Sequence, residues 1–269
     1  LPDRLGWGRV TLLVNGSPWT ALLVTLVVCG ALAAGFRVVL HRHLGVDLSA
    51  AAPIASPLMP ALGAVFALLA ATTIGAEAAQ FRSAGDDVSA EAAAASRLAW
   101  ASTTPGVDSD AILDELAVYL RATRATEWRD GDRDGSPRTA AALTKLERTV
   151  RAASVSKTLG SAQAGELLSS LDALTSLRRQ RLAHATNEMP DGYLLVVLAS
   201  GLALVANSSA LAVAQRRRVA MLTAGLVVVV SLTLALLVAI SSPFDGGFVV
   251  GGGPIDAVRA NVESGMFHR

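Results

Sequence analysis

The sequence has few cysteine, charged and aromatic residues, from which disulfides, metal sites and catalytic sites are usually built. It contains a single cysteine, Cys29, so neither a disulfide nor a thiolate metal site can form within one chain. Charged residues make up only 17% of its 269 residues and aromatic residues 4%, whereas 52% are hydrophobic. Soluble domains usually carry about 25% charged residues. The composition therefore indicates an integral membrane protein, with the lipid bilayer as its surroundings.

Catalytic and cofactor motifs are also missing from the sequence. It has no Walker loop, no cluster of His, Cys and Asp at metal-ligand spacing, and no Ser or Cys nucleophile with a recognisable base. The glycines of GGFVVGGGP (246–254) lack the strand and helix of a phosphate cradle, and the FVV core predicts a short extended segment. The net charge is +1, with both signs interspersed. We expect no enzyme, no cofactor and no nucleic-acid partner.

Four apolar stretches are long enough to cross about 30 Å of hydrocarbon as helices. The predicted spans are residues 18–36, 58–79, 193–214 and 219–240. The other segments are a juxtamembrane segment (1–17), a short basic loop (37–57), a polar middle segment (80–191) and a C-terminal tail (241–269). The second span is expected to continue as one helix to about Trp100, because its alanine-rich extension is strongly helix-prone.

The polar middle segment has helical periodicity, with leucine stripes typical of a small bundle. One of its helices is expected to begin with Ser136 as the N-cap and Pro137 in the first turn. The predicted fold is therefore an all-α integral membrane protein. It has four transmembrane helices, with a helical extramembranous domain inserted between the second and third spans.

The basic residues predict an orientation. The two short loops on one side of the membrane carry Arg37, Arg42 and Arg216–Arg218 against a single acid, Asp47. Cytoplasmic loops are enriched in Lys and Arg. We therefore expect a multi-pass membrane protein, with the middle domain and both termini outside the cytoplasm.

Small residues recur at every fourth position of the second span. They are Gly63, Ala67, Ala71, Gly75 and Ala79. Such a stripe lets another backbone approach closely, so it predicts a helix-packing face. The contact is either with another span of the same chain or with a second subunit, and periodicity does not separate the two.

Polar residues form a second stripe on the same helix. They are Thr73, Glu77, Gln80, Asp87 and Glu91. Acids inside a membrane usually face a bundle interior, a partner or water. Repeated by symmetry, this stripe would line an aqueous pore and attract cations. The alternative is that Glu77 stands at the interface, hydrated or paired with Arg82, and only ends the span.

An Asp-rich loop offers a weak calcium candidate. Asp130, Asp132 and Asp134 fall at positions one, three and five of a calcium-binding loop, and Gly135 falls at position six. The twelfth position is Ala141, so the bidentate glutamate is missing. The alternative is a solvated turn that ends in a helix cap.

Three stretches together resemble a family of bacterial membrane proteins collected as a domain of unknown function and described as bestrophin-like. They are TTIGAEAAQFRSAGDDVSAEAAAASRLAW (72–100), RRQRLAHATNEMP (178–190) and SSPFDGGFVVGGGPIDAV (241–258). The residues that carry the resemblance most specifically are Arg82, Glu91, Pro243, Phe244, Gly246 and Pro254. Ser242 stands where an acidic or basic residue is expected, and the three glycines before Pro254 are unusual.

The resemblance implies a symmetric oligomer, similar to bestrophin anion channels, with the second span lining a central pore. It also implies a cytoplasmic soluble part, opposite to the orientation that the basic residues predict. The acidic stripe favours cations over chloride.

Two hypotheses about function follow. The first is a homo-oligomeric membrane pore or ion channel-like protein. Its second span lines the axis, and the pore prefers cations. The alternative is a non-conducting scaffold or accessory subunit, whose helical domain docks a membrane protein partner.

Overall fold

The structure, a computed structural model, describes residues 18–43, 52–129, 135–186, 191–214, 218–240, 244 and 248–267. The first four helices are α1 (Pro18–His43), α2 (Ala52–Ser102), α3 (Ser109–Thr123) and α4 (Pro137–Ser154). The next four are α5 (Ser161–Thr186), α6 (Asp191–Ala214), α7 (Arg218–Ile240) and α8 (Gly253–Glu263). A π-helical segment, Arg124–Arg129, follows α3 directly. The described residues contain no strand, which confirms the all-helical prediction.

Four of the described helices are long and apolar enough to cross a membrane, namely α1, α2, α6 and α7. Helix α2 has 51 residues, far more than the roughly 20 that a span requires. Its length confirms the prediction of one helix that continues to about Trp100. The helix ends before a turn in which Gly106 adopts a φ of +91°, a left-handed conformation that favours glycine.

The described residues belong to two compact units. The first, which we call the spanning unit, comprises Leu1–Ala79 and Glu188–Phe248. Its helices approach closely at Gly201, where an added Cβ would lie 3.0 Å from Val230 and 3.2 Å from Phe66. Asn207 of α6 donates a 3.0 Å hydrogen bond to the carbonyl of Ala55 in α2. Gly201 thus permits a close approach and Asn207 adds a hydrogen bond, while the buried core of the unit is formed mainly by Phe, Val and Leu side chains.

The second unit, which we call the helical unit, comprises Gln80–Asn187 and Val249–Arg269. Ser136 begins α4 as predicted, accepting a 3.3 Å hydrogen bond from the Arg138 amide, and Pro137 occupies the first turn. Leucines of α3, α4 and α5 fill the core, as their helical periodicity predicts.

Helix α8 was not predicted from the sequence. Pro254 stands in its first turn, and Ile255, Val258 and Val262 form a buried face one helical turn apart. The extended segment predicted around the FVV residues covers only the irregular stretch before this helix. Val249–Arg269 belong to the helical unit, and Ile255, Val258 and Val262 contribute buried side chains to it.

Candidate functional site

The five polar residues predicted to line a pore are mostly buried within their own chain. Thr73, Glu77, Asp87 and Glu91 are buried, and Gln80 is partly exposed. Thr73 and Glu77 belong to the spanning unit, while the other three belong to the helical unit. The stripe therefore marks a side of α2 that packs against its own chain.

Glu91 is one end of a chain of buried charges in the helical unit. Its Oε2 accepts a 2.5 Å hydrogen bond from Nε of Arg181, and its Oε1 accepts one of 2.5 Å from the Tyr119 hydroxyl. The Nη2 of Arg181 donates a 2.5 Å hydrogen bond to Glu127, whose other oxygen accepts a 2.5 Å hydrogen bond from Nη2 of Arg178. We call the four charged residues Glu91, Arg181, Glu127 and Arg178 the buried ladder. Two acids alternate with two bases, so their charges compensate each other without water.

An aromatic ring covers one side of the ladder. The guanidinium carbon of Arg181 lies 4.6 Å from the centroid of the Trp128 ring, and that of Arg124 lies 5.3 Å from it. Cations over an indole face are attracted by its negative face. The indole Nε1 donates a 3.0 Å hydrogen bond to the carbonyl of Val250. The π-helical segment supplies Arg124, Glu127 and Trp128, and thus connects the ladder to the C-terminal residues.

The C-terminal helix has a further ionic contact with the same segment. Nε of Arg124 donates a 2.8 Å hydrogen bond to Oδ2 of Asp256 in the first turn of α8. Glycine at position 252 leaves room for this contact, because an added Cβ would lie 2.4 Å from Nη1 of Arg124 and would displace the guanidinium. The glycine-rich stretch is therefore explained, at Gly252, by the close approach of a protein side chain.

Burial and neighbouring charges fix the protonation states within the ladder. Burial raises the pKa of Tyr119 well above its usual value, and the Glu91 carboxylate raises it further. Burial alone would lower the pKa of Arg181, but the carboxylates of Glu91 and Glu127 raise it overall. Tyr119 therefore stays a hydrogen-bond donor, and Arg181 stays charged.

Glu91, which is predicted to face an aqueous axis, is enclosed by its own chain. Its side chain is 0% exposed within a single chain. Asp87 is likewise engaged inside the helical unit. Its Oδ1 accepts a 2.7 Å hydrogen bond from Gln180, and its Oδ2 contacts Nδ1 of His184. Helix α5 supplies the partners of both acids.

The other three predicted pore residues differ in exposure, since Gln80 is partly exposed while Thr73 and Glu77 are only 7% and 3% exposed within the chain. The Thr73 hydroxyl donates a 2.7 Å hydrogen bond to the Leu69 carbonyl of its own helix. Glu77 has no hydrogen bond or ion pair with any other described residue. Among the three acids of the predicted stripe, Glu77 is thus the one without a hydrogen-bond or ion-pair partner in the described chain.

The stripe of small residues is not covered by another described span. Ala67, Ala71, Gly75 and Ala79 are exposed, and a Cβ added at Gly63 or Gly75 would meet nothing within 4 Å. The sequence left open whether this stripe contacts another span of the same chain or a second subunit. Among the described residues, no span of the same chain covers it.

The calcium candidate lies outside the described residues. Asp130, Asp132 and Asp134 are all in the undescribed stretch 130–134, so this prediction stays untested. Among the residues that the structure describes, no group of three or more His, Cys, Asp or Glu side chains is placed to hold a metal ion.

Sequence reasoning missed the basic half of the ladder, although the signal was present. Leu167, Leu171 and Leu174 form the buried stripe of α5, and Arg178 and Arg181 continue it at the same alternating spacing of four and three residues. An arginine at a core position requires a buried acid as its partner. The stripe identifies the buried arginines, but it does not identify Glu91 and Glu127 as their partners.

Comparisons with known proteins agree with this fold. A family profile described as the bestrophin-like domain matches residues 22–255. A solved bacterial bestrophin homologue from Klebsiella pneumoniae, carrying a point mutation, is 14% identical with a TM-score of 0.70, and the match covers 90% of this chain and 99% of that one. A second structure of that homologue is also 14% identical with a TM-score of 0.70, covering 90% and 97% of the two chains.

A further solved structure, described only as a membrane protein with a point mutation, is 14% identical with a TM-score of 0.71 and covers 92% of this chain and 98% of its own. No curated protein matches the chain significantly. Identities this low establish the fold alone. With its long apolar helices, the chain is a multi-pass membrane protein. Because the family profile spans most of the sequence, the chain belongs to the bestrophin-like family.

Proposed function

We propose that this chain forms a homo-oligomeric membrane pore in which the second span, residues 58–79 of α2, faces the shared axis. The proposed architecture has four transmembrane helices and places the helical unit, apart from its C-terminal residues, between the second and third spans. The proposed membrane is a bacterial plasma membrane, with the helical unit and both termini outside the cytoplasm. The proposal assigns no enzymatic activity to the chain.

One observation carries the proposal, namely the character of the exposed side of the second span. The other apolar helices expose many large side chains, such as Leu23 and Phe36 of α1 and Leu232 of α7. The exposed side of the second span is instead rich in alanine and glycine, with Leu58, Val65 and Leu68 as its exposed large side chains. Small residues favour contact with a neighbouring helix over contact with lipid. A second copy of the chain is the neighbour that a symmetric oligomer supplies.

The proposed cation preference depends on Glu77. Asp87 and Glu91 are engaged inside the helical unit, so they contribute no charge to a pore. Glu77 has no partner among the described residues, but it is only 3% exposed in the single chain, so the proposal requires its carboxylate to turn towards the axis in the oligomer, where a ring of carboxylates attracts cations. Replacing Glu77 by Gln is expected to shift the reversal potential in a salt gradient towards zero. An unchanged reversal potential would remove Glu77 and the cation preference from the proposal.

Purified protein in liposomes tests the pore itself. We expect ion flux that scales with protein density, and particle images with rotational symmetry in which α2 surrounds the axis. The alternative, a non-conducting scaffold, predicts no flux at any voltage, pH or calcium concentration and stoichiometric co-purification with another membrane protein. A single copy without an axis would contradict the proposal regardless of flux.

A further inference from the structure

The surface of the spanning unit has an open groove that the proposed pore does not use. Helices α1, α6 and α7 enclose a volume of about 420 Å³. Gly30 and Ala33 of α1 and Val227 of α7 line its length, while Arg37 lines it near the end of the apolar stretch Leu22–Val39. The groove therefore follows the membrane-spanning direction of α1, with a cation at one end.

The interior of the groove is apolar although two hydroxyl groups line it. The Ser209 hydroxyl donates a 2.8 Å hydrogen bond to the Val205 carbonyl. The Thr223 hydroxyl donates a 3.3 Å hydrogen bond to the Ser208 carbonyl. Both groups thus engage carbonyls of the protein itself, and the guanidinium of Arg37 is the charged group that the groove offers to a ligand. A long apolar body with an anionic end matches this arrangement.

The charge of Arg37 is not compensated by the described chain. Arg37 is exposed and has no ion pair or hydrogen bond with another described residue. The sequence places further arginines near this end of the helices, at Arg42 and Arg216–Arg218, against the single acid Asp47. Basic pockets between transmembrane helices bind anionic lipid headgroups. We propose that the groove binds one anionic phospholipid, with an acyl chain along α1 and α7 and the headgroup phosphate at Arg37.

Charge complementarity favours a lipid over a second copy of the chain in this groove. In the described part of the spanning unit the acids are Glu77 and Asp191. Asp191 begins α6, about 27 Å along the helix from Ser209 in the groove. A second copy would therefore bring no described carboxylate to the depth of Arg37, whereas the surrounding bilayer supplies phosphates there. The lipid proposal is independent of whether the protein conducts ions.

The test uses the full-length oligomer, delipidated in detergent. Dioleoyl phosphatidylglycerol or dioleoyl phosphatidylcholine is added in steps, and native mass spectrometry counts the lipids bound per chain. The groove variant is Gly30→Leu, since a Cβ at Gly30 meets nothing within 4 Å and the added side chain occupies the groove. Its matched control is Gly35→Leu on the same helix, also in open space but outside the groove. Arg37→Gln tests the charge without filling the groove.

Wild-type protein and Gly35→Leu are expected to bind one phosphatidylglycerol per chain, and phosphatidylcholine weakly. Gly30→Leu is expected to lose that lipid, and Arg37→Gln to bind it about fivefold more weakly. Equal binding of the two lipids, or equal phosphatidylglycerol binding by Gly30→Leu and Gly35→Leu, would overturn the proposal. So would a Gly30→Leu variant that keeps the lipid but changes its subunit number, because a second copy would then occupy the groove. If Gly30→Leu does not assemble, Arg37→Gln decides alone, and unchanged affinity overturns the proposal.

Discussion

Arg181 donates a 2.5 Å hydrogen bond to Glu91, although 90 residues separate the two in the sequence. This contact joins α5 to α2 inside the helical unit, where neither side chain has appreciable contact with solvent. A buried pair of this kind adds little stability over an apolar pair, but breaking it leaves an uncompensated charge. The contact therefore acts mainly by fixing which face of α5 packs against α2.

The variant Arg181→Gln is expected to destabilise the helical unit by about 3–5 kcal/mol, because Glu91 and Glu127 would lose the charge between them. Thermal unfolding of the purified protein and hydrogen exchange of α3 and α5 measure the effect. Arg179→Gln is the matched control, since Arg179 is exposed on the same helix. Equal unfolding temperatures for the two variants would show that the ladder does not hold the unit together.

Tyr119 is expected to ionise only when the helical unit unfolds. Its folded pKa is raised by burial and by Glu91, so its contribution to stability is complete below the unfolded pKa of about 10 and is lost as the pH rises above that value. The measurement is the phenolate absorbance of wild-type protein minus that of Tyr119→Phe, recorded with circular dichroism. A Tyr119 phenolate signal in fully folded protein near pH 10 is inconsistent with this burial.

Gly252→Ala is expected to loosen α8. The added Cβ would displace the Arg124 guanidinium, which pairs with Asp256 and covers Trp128. Because a guanidinium is flexible and this pair is partly exposed, the cost is expected to stay below about 1 kcal/mol. Hydrogen exchange of the α8 amides measures it. Gly251→Ala is the control, as a Cβ there meets nothing within 4 Å, and identical exchange in both variants would refute the prediction.

The helical unit is expected to face outwards, as the basic loops predict. Val155, which is exposed at the turn after α4, is replaced by cysteine in a Cys29→Ser background. A membrane-impermeant thiol reagent applied to intact spheroplasts is expected to label this position. Labelling only after the membrane is permeabilised would place the unit in the cytoplasm, as the family resemblance implies.

The helices were predictable because they follow local patterns. Apolar length identifies the four long helices, alanine-rich sequence extends α2 to Ser102, and Ser136 with Pro137 begins α4. Helix α8 was missed because it has only 11 residues and follows a glycine-rich stretch. A helix this short is stable only when its buried face packs against other helices, and the local sequence does not predict that packing.

The candidate site was harder to predict, because the presence of an acid in the sequence does not show which side chain pairs with it. Glu77, Asp87 and Glu91 share one stripe of α2, and periodicity assigned the same role to all three. Their surroundings differ, since α5 supplies partners to Asp87 and Glu91 but not to Glu77. These pairings depend on which face of a distant helix packs there, and a single sequence does not give that information.

The most direct test of the proposed pore asks whether water reaches the exposed side of the second span at mid-membrane depth. Leu68 is 66% exposed and lies about 15 Å along α2 from Leu58, and Leu232 of α7 is 48% exposed on the spanning unit. Each is replaced by cysteine in a Cys29→Ser background and treated in proteoliposomes with a water-soluble, charged thiol reagent. The pore account predicts that Leu68→Cys is modified and loses ion flux while Leu232→Cys is not; an unmodified Leu68→Cys with unchanged flux would contradict it.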